Sequence, residues 1–163
     1  MALNPLANQM EDWIVEQIRA ITIDDVTVFE ESDVMPWEGG TAPDVSTFSR
    51  NFFEGKRDLS VRVFYANDVP VDLEGGFIAI DAEYRILVGI KAAREGESRR
   101  GGAIVGTNHL RDLLRDALHH QTPDKQSGEW YTDRTQWRGS HLMMMENNGA
   151  IQQSVVVVRE VPC

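Results

Sequence analysis

Residues 77–90 alternate without interruption. Ile78, Ile80, Ala82, Tyr84, Ile86, Val88 and Ile90 fall on one side, and Phe77, Asp81, Glu83 and Arg85 on the other. Side chains on a strand point to opposite faces in turn, whereas a helix would scatter these residues around its circumference. One apolar and one wetter face predict a strand of an antiparallel sheet, because parallel sheets bury both faces.

Other strands are expected around it. The stretch 59–65 sets Leu59, Val61, Val63 and Tyr65 against Ser60 and Arg62, and 26–29 is a short β-prone run. Further strands are expected over 130–137, 142–146 and 154–161, with Asn147-Asn148-Gly149 as a hairpin turn between the last two. Asn67-Asp68-Val69-Pro70 reads as a turn.

Two segments have helical spacing. Leu6, Met10, Trp13, Ile14, Ile18 and Ile21 recur every three or four residues behind Asn4-Pro5, which predicts a helix over 5–20 with Asn4 as N-cap. Leu110, Leu113, Leu114, Ala117 and Leu118 predict a second helix, starting at Ala103 or Asn108. His119 and His120 fall in its last turn, about 100° apart, and Pro123 stops it. The expected architecture is α+β: an antiparallel β-sheet with two main helices packed on one face.

Between the first strand and 59 lies a long polar stretch, 30–56, punctuated by Pro36, Gly39, Gly40, Pro43 and Gly55. It reads as a long extended loop, yet it carries Met35, Trp37, Val45, Phe48, Phe52 and Phe53. A connection of this length is unusual unless it has a function. Its aromatic rings either fold back onto the chain's own core or form a partner surface, and both arrangements bury them. Arg94, Arg99 and Arg100 form the one concentrated basic patch, suited to a solvated loop or to an acidic face of a neighbouring subunit.

The 163 residues suit one domain over 1–163, large enough to fold without a disulfide or metal staple. The lone cysteine, Cys163, excludes an internal disulfide and a thiolate zinc site. The start lacks the pattern of a signal peptide and no apolar run is long enough to span a bilayer, so the expected place of synthesis and folding is a cytoplasm, with no membrane partner. A net charge of −10 disfavours a dedicated nucleic-acid binder, although it suits a pore that lets DNA slide past.

Reactive constellations are sparse. There is no Walker motif, dinucleotide fingerprint, nucleophile elbow or His-Glu-x-x-His run. The Gly101–Gly106 segment superficially suggests a phosphate loop but lacks the Lys-Ser/Thr ending, and reads as a tight turn into a helix. His109, His119, His120 and His141 read as surface or helix-end residues rather than metal ligands. Asp24, Asp25, Glu30, Glu31 and Asp33 cluster around a turn and a loop, where acids are usually solvated. No catalytic residue, metal or cofactor is expected.

The strand over 82–90, the sequence Ala93-Arg94-Glu95-Gly96, then Arg99-Arg100-Gly101-Gly102-Ala103, and the helix bearing Leu110-Arg111-Asp112-Leu113-Leu114 together resemble the tail terminator-like family of Mu-like phages and prophages. The first helix and the strand 155–161 also fall where that family has them. The resemblance covers most of the chain in layout and the central Arg/Gly-Gly segment in residues. It implies a non-enzymatic virion protein, a self-associating ring, usually a hexamer, at the head-proximal end of the tail. Such a ring caps the tail tube, meets the tube protein on one side and a head–tail connector on the other, and passes DNA through its lumen without specific binding. Under this reading Trp37, Phe48, Phe52, Phe53, Arg94, Arg99 and Arg100 are the candidate subunit or partner interface. The alternatives are a neck connector or another tail-completion protein and, further off, a small metal-dependent hydrolase or nuclease using Asp24, Asp25 and the histidines.

Overall fold

The computed structural model describes residues 4–94, 96–102, 104–146 and 148–162. Cys163, Glu95, Ala103 and Asn147 of the motifs above lie outside the described residues. In chain order the elements are α1 (Leu6–Arg19), β1 (Thr22–Ile23), β2 (Val26–Thr27), β3 (Val34–Pro36), α2 (Val45–Glu54), β4 (Leu59–Asp72), β5 (Ile78–Lys91), α3 (Glu97–Arg100), α4 (Thr107–Leu118), β6 (Gln126–Ser127), β7 (Trp130–Glu146) and β8 (Gly149–Pro162). Short 3-10 turns occupy Glu31–Asp33 and Glu74–Gly76.

The fold is α+β. Its six-stranded sheet has the order β3-β4-β5-β8-β7-β6, antiparallel throughout except for the parallel pair β3–β4. The alternating segment 77–90 becomes β5, flanked by β4 and β8, with Tyr84, Ile86, Val88 and Ile90 completely buried on one face. α1 and α4 cover that face. Met10, Ile14 and Ile18 from α1 join Leu110, Leu114 and Leu118 from α4 and Val61, Val63, Val156 and Val158 from the sheet in the main core. Neither helix has a side-chain N-cap bond; α1 begins after Pro5 rather than at it, and Asn4 contributes only its backbone carbonyl, which accepts from Gln9 Nε2 at 2.8 Å. Their stability therefore comes from the buried face.

Three expectations are corrected. Asn67-Asp68-Val69-Pro70 is not a turn, because β4 runs through it and pairs with β5 as far as Asp72↔Ile78. The strand absorbs a bulge between Tyr65 and Asn67, and Pro70 is tolerated because, among the described residues, the side of β4 away from β5 has no strand beside it past the short pairing with β3. The strands expected over 130–137 and 142–146 are one strand, β7, with register irregularities at Thr132/Thr135, Trp137/Ser140 and Leu142/Met144. The stretch 30–56 is not an extended loop: it contains a 3-10 turn, β3 and the helix α2.

α2 places a third helix on the opposite face of the sheet. Asp44 caps it, accepting from the Thr47 backbone N–H at 2.9 Å and the Thr47 hydroxyl at 2.6 Å. Phe48 and Phe52, one helical turn apart, pack on Phe64, Leu87 and Ile151 in a second, smaller core. Lys91 secures the end of the helix: its Nζ donates to the Gly55 carbonyl at 2.8 Å and lies 4.8 Å from the centre of the Phe52 ring.

Candidate interaction surfaces

The predicted interface residues separate in space. Phe48 and Phe52 are buried in the second core, while Trp37 and Phe53 pack half-buried at its margin. Trp37 stands edge-on to Phe64 with ring centres 6.1 Å apart, and its indole N–H donates to the Thr41 carbonyl at 3.2 Å. Arg94, Arg99 and Arg100 lie exposed on and beside α3, where Arg94 approaches Glu97 at 3.7 Å. These arginines do not line the pocket that Trp37, Phe48 and Phe52 share.

The acidic residues serve local structure. Asp24 and Asp25 are the two turn residues of the β1–β2 hairpin, with φ of 51° and 65°, the left-handed pair that a tight two-residue hairpin demands. Asp33 and Glu30 cap the 3-10 turn reciprocally, and the Asp33 carboxylate also accepts from Arg57 at 2.9 Å. α4 ends at Leu118 with His119 as its C-cap, so the two histidines sit at the helix end, just past its last turn rather than in it, and their rings stack with centres 3.8 Å apart. His119 Nδ1 accepts from the Trp137 backbone N–H at 3.0 Å. Among the described residues no group of three His, Cys, Asp or Glu side chains converges on a cation position, and no helix is long and apolar enough to cross a membrane.

The Gly101–Gly106 segment is a tight crossing. Gly101 has φ of 84°, and a Cβ on Gly106, the residue before α4, would stand 2.6 Å from the Arg99 carbonyl oxygen. The glycines there allow two backbone segments to touch.

Among the described residues two sheet edges remain open, at diagonally opposite corners. The outer edge of β7 is covered up to Trp137: β6 pairs with Trp130 and Tyr131, and the backbone over 119–125 bonds the strand further along. Past that point the strand has no outer neighbour among the described residues. There Leu142, Met143, Met144 and Met145 follow one another, each 36–46 % exposed. At the other corner, β4 runs past the end of β3. Its Tyr65 N–H donates to the Glu11 carboxylate at 2.8 Å instead of to a strand. Val69, Phe77 and Ile78 are exposed around the far end of the β4–β5 hairpin. Sequence reasoning missed both apolar patches, because alternation suggests that half of each strand is buried and contains no signal for a strand end left uncovered on both faces.

An acidic group surrounds the buried phenol of Tyr84, whose hydroxyl has no partner among the described residues. Burial, then the charges of Glu160, Glu11 and Asp68, raises the Tyr84 pKa. Burial and the neighbouring Asp68 push Tyr65 up to about 12. Burial also raises Glu160, reinforced by Asp68, and raises Glu11 against the lowering effect of the Tyr65 N–H. A carboxyl whose pKa is raised on folding favours the folded state while protonated. That contribution is complete below the ordinary glutamate range and is lost as pH rises through the raised value. Glu160→Gln is therefore expected to raise the melting temperature at neutral pH relative to the parent chain, with the difference shrinking toward acid pH. Parallel melting curves at a series of pH values check this.

No protein-family model matches the chain, and no curated protein aligns significantly with it.

Proposed function

We propose that this chain is a structural assembly protein of a phage tail, a tail terminator-like subunit that associates into a homo-oligomeric ring. On this reading the ring, a hexamer as in the family it resembles, caps the tail tube and offers the surface to which the head connector joins. The observation that carries an assembly role is the run Leu142-Met143-Met144-Met145 on an unpaired edge. Both sheet faces already have their own cores, and among the described residues nothing covers this patch.

The second patch, Val69, Phe77 and Ile78, lies at the opposite end of the sheet and differs in composition. Two unlike patches suit a head-to-tail contact, the kind that closes into rings, better than a two-fold contact of one patch with itself. Their charged surroundings also differ: Asp68 and Asp72 on β4 and Glu74 beside it make the second patch acidic, while Arg138, His141 and Glu146 on β7 give the methionine run charges of both signs. The further step from assembly subunit to tail terminator is supported by the resemblance over 82–114, and the net charge of −10 suits a lumen that releases DNA.

Met144→Glu and Phe77→Glu are each expected to convert the assembled species to monomer in size exclusion with light scattering, with melting temperature unchanged. An equimolar mixture should give dimers and nothing larger, because each variant keeps one intact patch and only the two intact patches can meet. A parent chain that is strictly monomeric and missing from purified virions would remove the proposal. A parent chain that stops at a dimer would replace the ring by a two-fold contact.

A further inference from the structure

A pocket of about 340 Å³ opens between α2, the 37–39 segment and the start of β4. Its wall is aromatic, made by Trp37, Phe48 and Phe52. The Phe48 and Phe52 rings are parallel to within 2°, with centres 6.2 Å apart, and the bond from the Trp37 indole to Thr41 holds the third ring in place. Three cations, Lys56, Arg57 and Arg62, also line the pocket against one carboxylate, Glu38, in a chain with a net charge of −10.

Arg62 is the informative member. Its Nη1 donates to two neutral acceptors, the carbonyls of Asp33 at 3.1 Å and Val61 at 2.8 Å. Among the described residues it has no carboxylate at ion-pair distance. Asp33, whose backbone carbonyl Arg62 bonds, has its carboxylate engaged by Arg57 at 2.9 Å. Burial, then the like charge of Arg57, lowers the Arg62 pKa, and the charges of Glu38 and Asp33 only partly offset this. A half-buried guanidinium without an anion in contact is an unfavourable arrangement that a bound oxyanion would relieve.

We propose that this pocket is a binding site for an aromatic carboxylate. The carboxylate meets the Arg62 guanidinium with Lys56 beside it, and the flat ring lies against Trp37 and Phe48. The size argues for a single ring bearing one acidic group, since about 300 Å³ is the lower end of small-molecule sites. A guanidinium fork matches the two oxygens of a carboxylate, and the aromatic wall supplies the apolar contact. The site is independent of the ring reading, and neither depends on the other.

The test uses the full chain and nuclear magnetic resonance of its tryptophan indole and arginine Nε groups. Sodium benzoate should shift the Trp37 and Arg62 signals saturably at millimolar concentration. Acetate, which lacks the ring, and benzyl alcohol, which lacks the charge, should each bind at least about tenfold more weakly. Arg62→Gln should weaken benzoate about tenfold or more, and Arg62→Lys should recover part of the loss. Lys56→Ala, an exposed rim change that leaves the fold intact, should weaken it several-fold. Benzyl alcohol binding as well as benzoate, or benzoate affinity untouched by both Arg62→Gln and Lys56→Ala, would overturn the proposal. Phenyl phosphate binding more tightly than benzoate would overturn the carboxylate assignment.

Discussion

Leu114→Ala is expected to lower the stability of the folded chain by about 2–5 kcal/mol, the range for deleting a fully buried leucine side chain in a packed core. Leu114 is completely buried in the middle of α4, between Leu110 and Leu118 on the same face. That helix has no side-chain cap at its start, so its attachment depends on these three leucines meeting the sheet. At this chain length the loss corresponds to a melting temperature lower by roughly 5–15 °C. Urea unfolding would read it most directly, made in the Met144→Glu background so that self-association does not contribute. A loss below about 1 kcal/mol would mean that α4 does not bury this face.

The second large effect is expected at Gly89. It lies in β5 on the side opposite the main core, where a Cβ would stand 2.7–2.8 Å from three atoms of the Phe52 ring. Phe52 is itself buried and is a central member of the second core, so displacing its ring disturbs the packing of α2 on the sheet. Gly89→Val should therefore push α2 off the sheet and cost about 3 kcal/mol, the upper part of the range for overpacking a core. Fluorescence should report the change at Trp37, which packs at the edge of the same cluster. Far-ultraviolet circular dichroism should lose only the contribution of one short helix, because α1 and α4 lie on the other face. Unfolding of the whole chain in one step would mean instead that the two cores are not separable.

The fold was readable where a pattern is local and long. The alternation over 77–90 placed the central strand, and the three-and-four spacing of Leu6 to Ile18 and of Leu110 to Leu118 placed both helices of the main core. α2 was concealed for identifiable reasons. It is short, and it follows a segment rich in glycine and proline. Its signal consists of Asp44 as a cap and Phe48 and Phe52 four residues apart, which the adjacent Phe53 blurs. The turn expected at Asn67-Asp68-Val69-Pro70 failed because pairing with β5 outweighed local preference.

The candidate sites were less readable still. The sequence put Ser60 and Arg62 on the face opposite Val61 and Val63, and separately singled out Trp37, Phe48 and Phe52. Nothing local says that these two groups share a pocket. The parallel pairing of β3 with β4, Pro36 beside Val63, carries Trp37 next to the strand that bears Arg62. That pairing joins residues more than twenty positions apart, and no periodicity encodes it.

The free margin of β4 also bears on how the protein behaves at high concentration. Pro70 offers no amide hydrogen there, and the Tyr65 amide is already taken by the Glu11 side chain. A foreign strand arriving at this border would find the ladder of donors broken twice. Templated growth of one sheet onto the next, the route to cross-β fibrils, is thereby blocked on one flank of every molecule, so crowded solutions of this chain should remain clear of amyloid even though the opposite flank displays four adjoining apolar side chains.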